Sequence, residues 1–262
     1  MRKFLVGVLL ATCSWLGGTG LCSAQTDFNW NGQLAAGQTV EIKGINGGIH
    51  ANAAKGGDVL VTAARSARRS NPADVRFEVV PHAGGVTICA IYPSPAGEPA
   101  NECAPGGRGR TNTRDNDTVV DFTVQVPAGV NFVGRTVNGS VDGDSLPANA
   151  EAYTVNGSVN LSAAGTALGN TVNGSISATM GRADWQGGGH FKTVNGDITL
   201  RLPVSVNAQV DAETVNGSLR SEFPLTLSGE EFRRKRLNGT IGNGGQTLDL
   251  KSVNGSISLL KR

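Results

Sequence analysis

The sequence predicts an all-β protein, a single parallel β-solenoid with about 16–22 residues per coil. Three observations predict it. A six-residue unit reading Thr-Val-Asn-Gly-Ser-Val recurs along the chain, its copies fall at the spacing of a coil, and no stretch beyond the amino-terminal segment carries a helical period. The 37 glycines fit a turn-dense fold of this kind.

The repeat comes first. Copies begin at Thr136, Thr154, Thr171, Thr193, Thr214, Arg236 and Ser252, with an outlying one at Gly44. Their asparagines are Asn46, Asn138, Asn156, Asn173, Asn195, Asn216, Asn238 and Asn254, and after Asn138 the steps are 18, 17, 22, 21, 22 and 16 residues. Asn-Gly between β-branched residues ordinarily signals a two-residue hairpin. Here that pairing would set Val137 against Ser140 and Thr136 against Val141, so neither face of the ribbon could be buried cleanly. A chain that turns a corner at Asn-Gly and continues lets Val137 and Val141 point inward, with Thr136 and Ser140 outward. The corner reading therefore predicts stacked parallel strands about 4.8 Å apart. The asparagines should lie in register as an amide ladder, with Asn46 outside the regular row. Glycine follows asparagine because the corner is expected to need a positive φ. Parallel crossovers favour a right-handed coil.

Between Asn46 and Asn138 the unit is lost but strand patterning continues. Val59–Ala63, Val75–Val80, Val86–Ile91 and Thr118–Val126 read as strands, several of them alternating strictly, and 104–117 reads as a long polar loop. The expected organisation is a signal peptide over 1–24, a β-strand region over 25–135, and a repeat solenoid over 136–262 continuous with it.

Export is read from the first residues. Arg2 and Lys3 precede an apolar core from Phe4 to Leu16, and Cys22-Ser23-Ala24 offers a signal peptidase its small residues, so cleavage is expected after Ala24. The run is too short, and too broken by Gly17, Gly18 and Gly20, to span a membrane. Leu21 before Cys22 and Thr12 before Cys13 argue against a lipoprotein. Removing Arg2 and Lys3 from 23 basic residues leaves 21, equal to the 21 acidic ones. A neutral chain has no general pull toward nucleic acid or an anionic bilayer. Cys89 and Cys103 remain, flanking a loop with Pro93, Pro95 and Pro99. In an oxidising space such a pair is expected to form a disulfide, worth about 3 kcal/mol on the chain-entropy model.

Chemistry is harder to find. His50, His82 and His190 have no second ligand at metal spacing, and no G-x-S-x-G elbow occurs. Asp142 with Asp144, and Asp115 with Asp117, lie two apart, as an acid–base pair on one strand face would; turn residues with local backbone bonds show the same spacing. Arg65, Arg68 and Arg69, and Arg233 to Arg236, form basic clusters; the second suits anionic glycans or lipid headgroups, or, with Glu230 and Glu231 beside it, simply a solvated turn. Trp185 beside Gly187-Gly188-Gly189 is either an exposed stacking platform or core. No catalytic residue, cofactor or metal is assigned.

The repeated Thr-Val-Asn-Gly-Ser-Val/Ile units, preceded by a strand closing on Val126-Pro127-Ala128-Gly129 and by an export leader, resemble the putative-adhesin family of bacterial β-strand-repeat envelope proteins, domains of unknown function. The resemblance covers about Thr39 to Leu260 and is strongest from Val119 onward; the proline-rich loop between Cys89 and Cys103 departs from it. It implies a β-solenoid of the cell envelope and transfers no catalytic residue. The function expected is a non-catalytic exported module, adhesin-like and either binding or structural. It would lie in the periplasm or at the cell surface, with a surface glycan or another envelope protein as its partner. The alternatives are a carbohydrate-active β-helix enzyme, a lyase or hydrolase, and a self-assembling envelope scaffold.

Overall fold

The computed structural model describes residues 27–231 and 234–262, so the expected leader over 1–24 lies outside the described residues. Among the described residues the one helical element is a 3-10 turn, Pro72–Asp74. Asn71 caps it, its side chain accepting from the Ala73 N–H.

The chain enters as β1 (Phe28–Gly32), β2 (Thr39–Lys43) and β3 (Ile49–Ala53). An excursion follows through β4 (Val59–Ser66), β5 (Arg76–His82), β6 (Gly85–Ile91) and β7 (Val119–Val126). The repeat then supplies β8 (Asn131–Arg135), β9 (Val141–Leu146), β10 (Ala150–Tyr153) and β11 (Val159–Ala163). It continues with β12 (Ala167–Asn170), β13 (Ile176–Met180), β14 (Gly189–Lys192), β15 (Ile198–Leu202) and β16 (Ala208–Asn216). The last are β17 (Leu219–Ser221), β18 (Thr226–Glu231), β19 (Arg234–Ile241), β20 (Thr247–Asn254) and β21 (Ile257–Lys261).

These strands form two large sheets, and each unit that turns at an Asn-Gly corner contributes one strand to each, while β18 and β19 both join the second. The first sheet runs β1-β4-β7-β3-β9-β11-β13-β15-β21-β17; the second runs β18-β19-β16-β20-β14-β12-β10-β8-β2-β6-β5. Within the repeat the pairs are parallel, as the corner reading requires. Antiparallel pairs gather toward the ends: β1 on β4, β4 on β7 and β5 on β6 at one end, β16 on β19 and β19 on β18 at the other. The core is the rank Val141, Val159, Ile176, Ile198 and Ile257 with its neighbours, all buried. Each such aliphatic contributes about 1.5–3 kcal/mol.

The stack departs from sequence order in two places. At the amino-terminal end β2 and β3 lie between β8 and β9 on one side and the later β6 and β7 on the other. β20 sits between β14 and β16, and β21 between β15 and β17, so the coil latest in the chain fills a gap between two earlier ones. The Arg236 copy makes no corner at all: Asn238 and Gly239 lie inside β19, opposite Asp211 and Val210 of β16. Its first residue sets it apart from the six copies that open on Thr or Ser. The copies that turn begin with Thr or Ser, whose hydroxyl the corner uses (below), apart from the outermost at Gly44; Arg236 offers none and instead pairs with Asp211, its Nε 2.7 Å from Oδ1.

Candidate functional site

The structure has two long edges where the chain passes between sheets. At the corner edge, the Thr or Ser opening each turning unit from Thr136 onward is buried, while the Val after it is exposed at Val155, Val172, Val194 and Val253 and half-buried at Val137 and Val215, the reverse of the inside and outside assigned to these two positions from sequence. Thr154 and Thr171 are 7% and 6% exposed, against 38% and 39% for Val155 and Val172. The reason is a backbone acceptor. Thr154 Oγ1 donates to the Gly139 carbonyl of the neighbouring coil at 2.8 Å, and Thr171, Thr193 and Thr214 repeat the contact to Gly157, Gly174 and Gly255 at 2.9, 2.8 and 2.7 Å. Ser252 does the same to Gly196 at 3.0 Å. A buried carbonyl left without a donor costs about 1–3 kcal/mol, which outweighs hiding part of one Val.

The asparagines form the expected ladder, with a different membership. Each Nδ2 donates to the Oδ1 of the neighbouring coil: Asn138 to Asn46, Asn156 to Asn138, Asn173 to Asn156 and Asn195 to Asn173, at 2.7–2.8 Å. Asn254 then donates to Asn195, and Asn216 to Asn254, both at 2.8 Å. Asn46 thus belongs to the row despite its distance in sequence, and Asn238 does not. From Asn138 to Asn216 the row is exposed rather than buried. Beyond Asn46 the Tyr92 hydroxyl lies 3.2 Å from the Asn46 carbonyl and 3.0 Å from that of Thr118. Burial pushes its pKa up to about 12. Glycine is needed for close approach more than for positive φ: a Cβ on Gly157, Gly174, Gly217 or Gly255 would collide with the glycine carbonyl of the adjacent coil. Only Gly47, Gly139 and Gly196 of the corner glycines are in the positive-φ range.

The opposite edge is built differently. Connections there run over 147–149, 164–166, 181–188 and 203–207, while five corners use five residues each. The lengthening of the step from 17 to 22 residues falls entirely in 181–188. These connections enclose two adjoining depressions of about 290 and 380 Å³ that share Arg182 and Asp184. The first is lined by Glu151, Leu168 and Gln186, the second by Ser205, Asn207 and Gln246. Arg182 Nε lies 3.7 Å from Asp184 Oδ1. Trp185 is core: 3% exposed, with Nε1 donating to the Ala167 carbonyl at 3.0 Å. Sequence reasoning missed this groove. The uneven steps were its signal, because insertions in a stacked repeat collect on one face.

The remaining candidates have local partners. Cys89 and Cys103 are joined, with Cα atoms 5.8 Å apart. The polar loop that follows Cys103 is held down by Lys43, whose Nζ donates to the carbonyls of Ala104, Gly106 and Arg108 at 2.8, 2.9 and 2.7 Å, and burial lowers its pKa. Beside it the buried Glu41 accepts from Arg135 Nε at 2.7 Å, Thr87 Oγ1 at 2.9 Å and the Gly106 N–H at 2.8 Å. Asp142 and Asp144 do share the outer face of β9, in register with His50 and Asn52. Asp142 accepts from Asn160 at 2.8 Å and lies 3.3 Å from His50. Asp117 accepts from the Ser70 and Arg69 N–H groups, and the Ser70 bond first among them holds its carboxyl down at about 2. His190 lies 3.7 Å from Asp249. Arg65 donates to Asp27 and to the Val75 carbonyl, and Lys235 to the Gly217 carbonyl. Arg233 lies outside the described residues.

Residues 136–260 match the Toastrack DUF4097 family. The family read from the repeat is the one found, and the match begins at the first corner Thr. A putative cell adhesion protein from Clostridium sporogenes ATCC 15579 is similar over 90% of this chain and 99% of its own, at 11% identity and a TM-score of 0.41. A putative adhesin from Bacteroides fragilis NCTC 9343 is similar over 90% and 96%, at 12% identity and a TM-score of 0.33. No curated protein matches.

Proposed function

We propose that this toastrack chain is an exported, non-catalytic protein of the bacterial envelope, an adhesin-like module that binds or supports rather than transforms. In this reading its coils form one continuous right-handed solenoid from 25 to 262, after removal of 1–24. The observation that carries it is the contrast between edges: a corner edge repeated coil after coil, and an opposite edge that varies and holds the groove. That is the layout of a rigid frame presenting variable loops. One member of each carboxylate pair weighed for acid–base chemistry is engaged locally, Asp142 by Asn160 and His50 and Asp117 by Ser70, which favours binding over catalysis. Each sheet ends in an antiparallel strand or in the three-residue β17, which disfavours end-to-end assembly into a scaffold. Among the described residues no helix is long and apolar enough to cross a membrane.

Cell fractionation with amino-terminal sequencing tests the proposal. The expected result is a chain beginning at Gln25 in the periplasm, on the surface or in the medium. Recovery in the cytoplasm with residues 1–24 attached would overturn it.

A further inference from the structure

We propose that the groove on the edge opposite the asparagine ladder binds a neutral, hydroxyl-rich ligand, a chain of uncharged sugars. The inference deepens the binding-module reading and rests on it. Elimination by chemistry leads there. The groove carries Glu151 and Asp184 against Arg182, a formal excess of one negative charge, so it does not attract polyanions. No group of three metal-ligating side chains occurs among the described residues, so two carboxylates here do not make a cation site. A peptide added as a strand needs a free strand edge. The strands beside the groove, β10, β12 and β14, are each paired on both sides.

What the groove does offer suits a sugar. Leu168 supplies an apolar patch, half-buried, for the C–H face of a pyranose. Gln186 and Gln246 bring amides that both donate and accept, Ser205 a hydroxyl, Glu151 and Asp184 acceptors, and Arg182 a fork of donors. Hydroxyl groups need this mixture, because each donates one bond and accepts others. The groove also crosses the loops of successive coils, so it is elongated along the stack as an oligomeric ligand requires. Trp185 lies beneath and positions the 181–188 loop instead of stacking on the sugar.

The test uses the full exported chain on a printed array of neutral hexose and N-acetylhexosamine oligosaccharides beside their sulfated and uronic-acid counterparts. The best neutral oligosaccharide is then titrated calorimetrically against Arg182→Ala, Gln186→Ala and, at the corner edge, Val194→Thr. Neutral sugars should bind in preference to charged ones. Each groove variant should weaken binding about tenfold, the size of one lost hydrogen bond to a polar ligand, and Val194→Thr should leave it unchanged. All three sites are exposed, so circular dichroism should show folded variants. No neutral sugar bound, a preference for charged ones, or affinity indifferent to both groove variants would each overturn the assignment. An exported protein silent on the array sinks the groove assignment and leaves the envelope reading standing. A cytoplasmic protein that binds neutral sugars through Arg182 and Gln186 does the opposite.

Discussion

At the corner edge the two sheets are joined by five residues at each of five turns, and Asn and Gly recur there in fixed order, after Thr in four of them; at the opposite edge the joins run from three residues to eight and share no motif. Both edges serve the same coils. The difference lies in what the backbone asks for. At the corner each glycine carbonyl is roofed by the next coil and takes its donor from one hydroxyl, and each peptide lies so close to its neighbour that a methyl cannot enter. At the opposite edge each join meets its needs separately: the Gly165 and Arg182 N–H groups reach the carbonyls of Ala148 and Gly165, the Thr166 N–H reaches Asn149 Oδ1, and no one side chain is called on coil after coil.

The largest test of that contrast is glycine replacement. Gly174→Val puts a side chain into the Gly157 carbonyl, and the protein should lose about 3 kcal/mol or more in a urea melt, or fail to fold. Gly187→Ala, at φ +89° with nothing within 4 Å, should cost about 1–2 kcal/mol for backbone conformation alone. Equal losses would break the comparison. Next comes the hydroxyl. Thr171→Val leaves the Gly157 carbonyl without its side-chain donor and should cost about 1–3 kcal/mol, while Thr166→Val at the opposite edge should stay within about 0.5 kcal/mol.

The ladder should be worth less per residue, because water can replace an exposed amide. Asn173→Ala and Asn46→Ala should each cost about 1 kcal/mol, and Asn238→Ala, outside the row, less than either. A loss at Asn238 matching the other two would remove the distinction. The smallest effect concerns the excursion between β3 and β8, away from both edges. The Asp117 carboxylate is held at about 2 by the Ser70 and Arg69 N–H groups, below its ordinary 3.8. A depressed carboxyl stabilises the fold above its unfolded pKa, and that contribution fades as pH falls from about 4 through about 2. Carbon-detected NMR should give Asp117 a midpoint near 2; a midpoint near 4 would show that the clamp does not hold.

The fold class was legible because a repeat states its period outright. The facing of the corner residues was not. Alternation by hydropathy sends Val137 inward and Thr136 outward, yet a threonine hydroxyl that caps a buried carbonyl is worth more inside than a valine. The same contact separates the Arg236 copy from the six that open on Thr or Ser, so the missing hydroxyl was visible in the sequence, though its meaning needed the corner geometry. The order of coils was hidden, since the step from Asn195 to Asn216 matches the steps around it. The bond between Cys89 and Cys103 was readable from their spacing and from the export leader expected ahead of them. The groove was readable only as unevenness in the repeat.

The out-of-order coil of β20 and β21 changes how the molecule comes apart. Strands stacked in sequence order can fray one after another from either end. Here β17 pairs only with β21, and β16 with β20 and β19, so the coil of 208–221 is bound to the body of the stack through residues 247–261. Those residues act as a keystone: the neighbours they separate precede them in the chain, and neither closes on the other without them. Loss of β20 and β21 from their slot releases β16 to β19 in the same event. Amide exchange across β16, β20 and β21 should therefore report one shared opening free energy, where a plain stack would show a gradient from tip to centre.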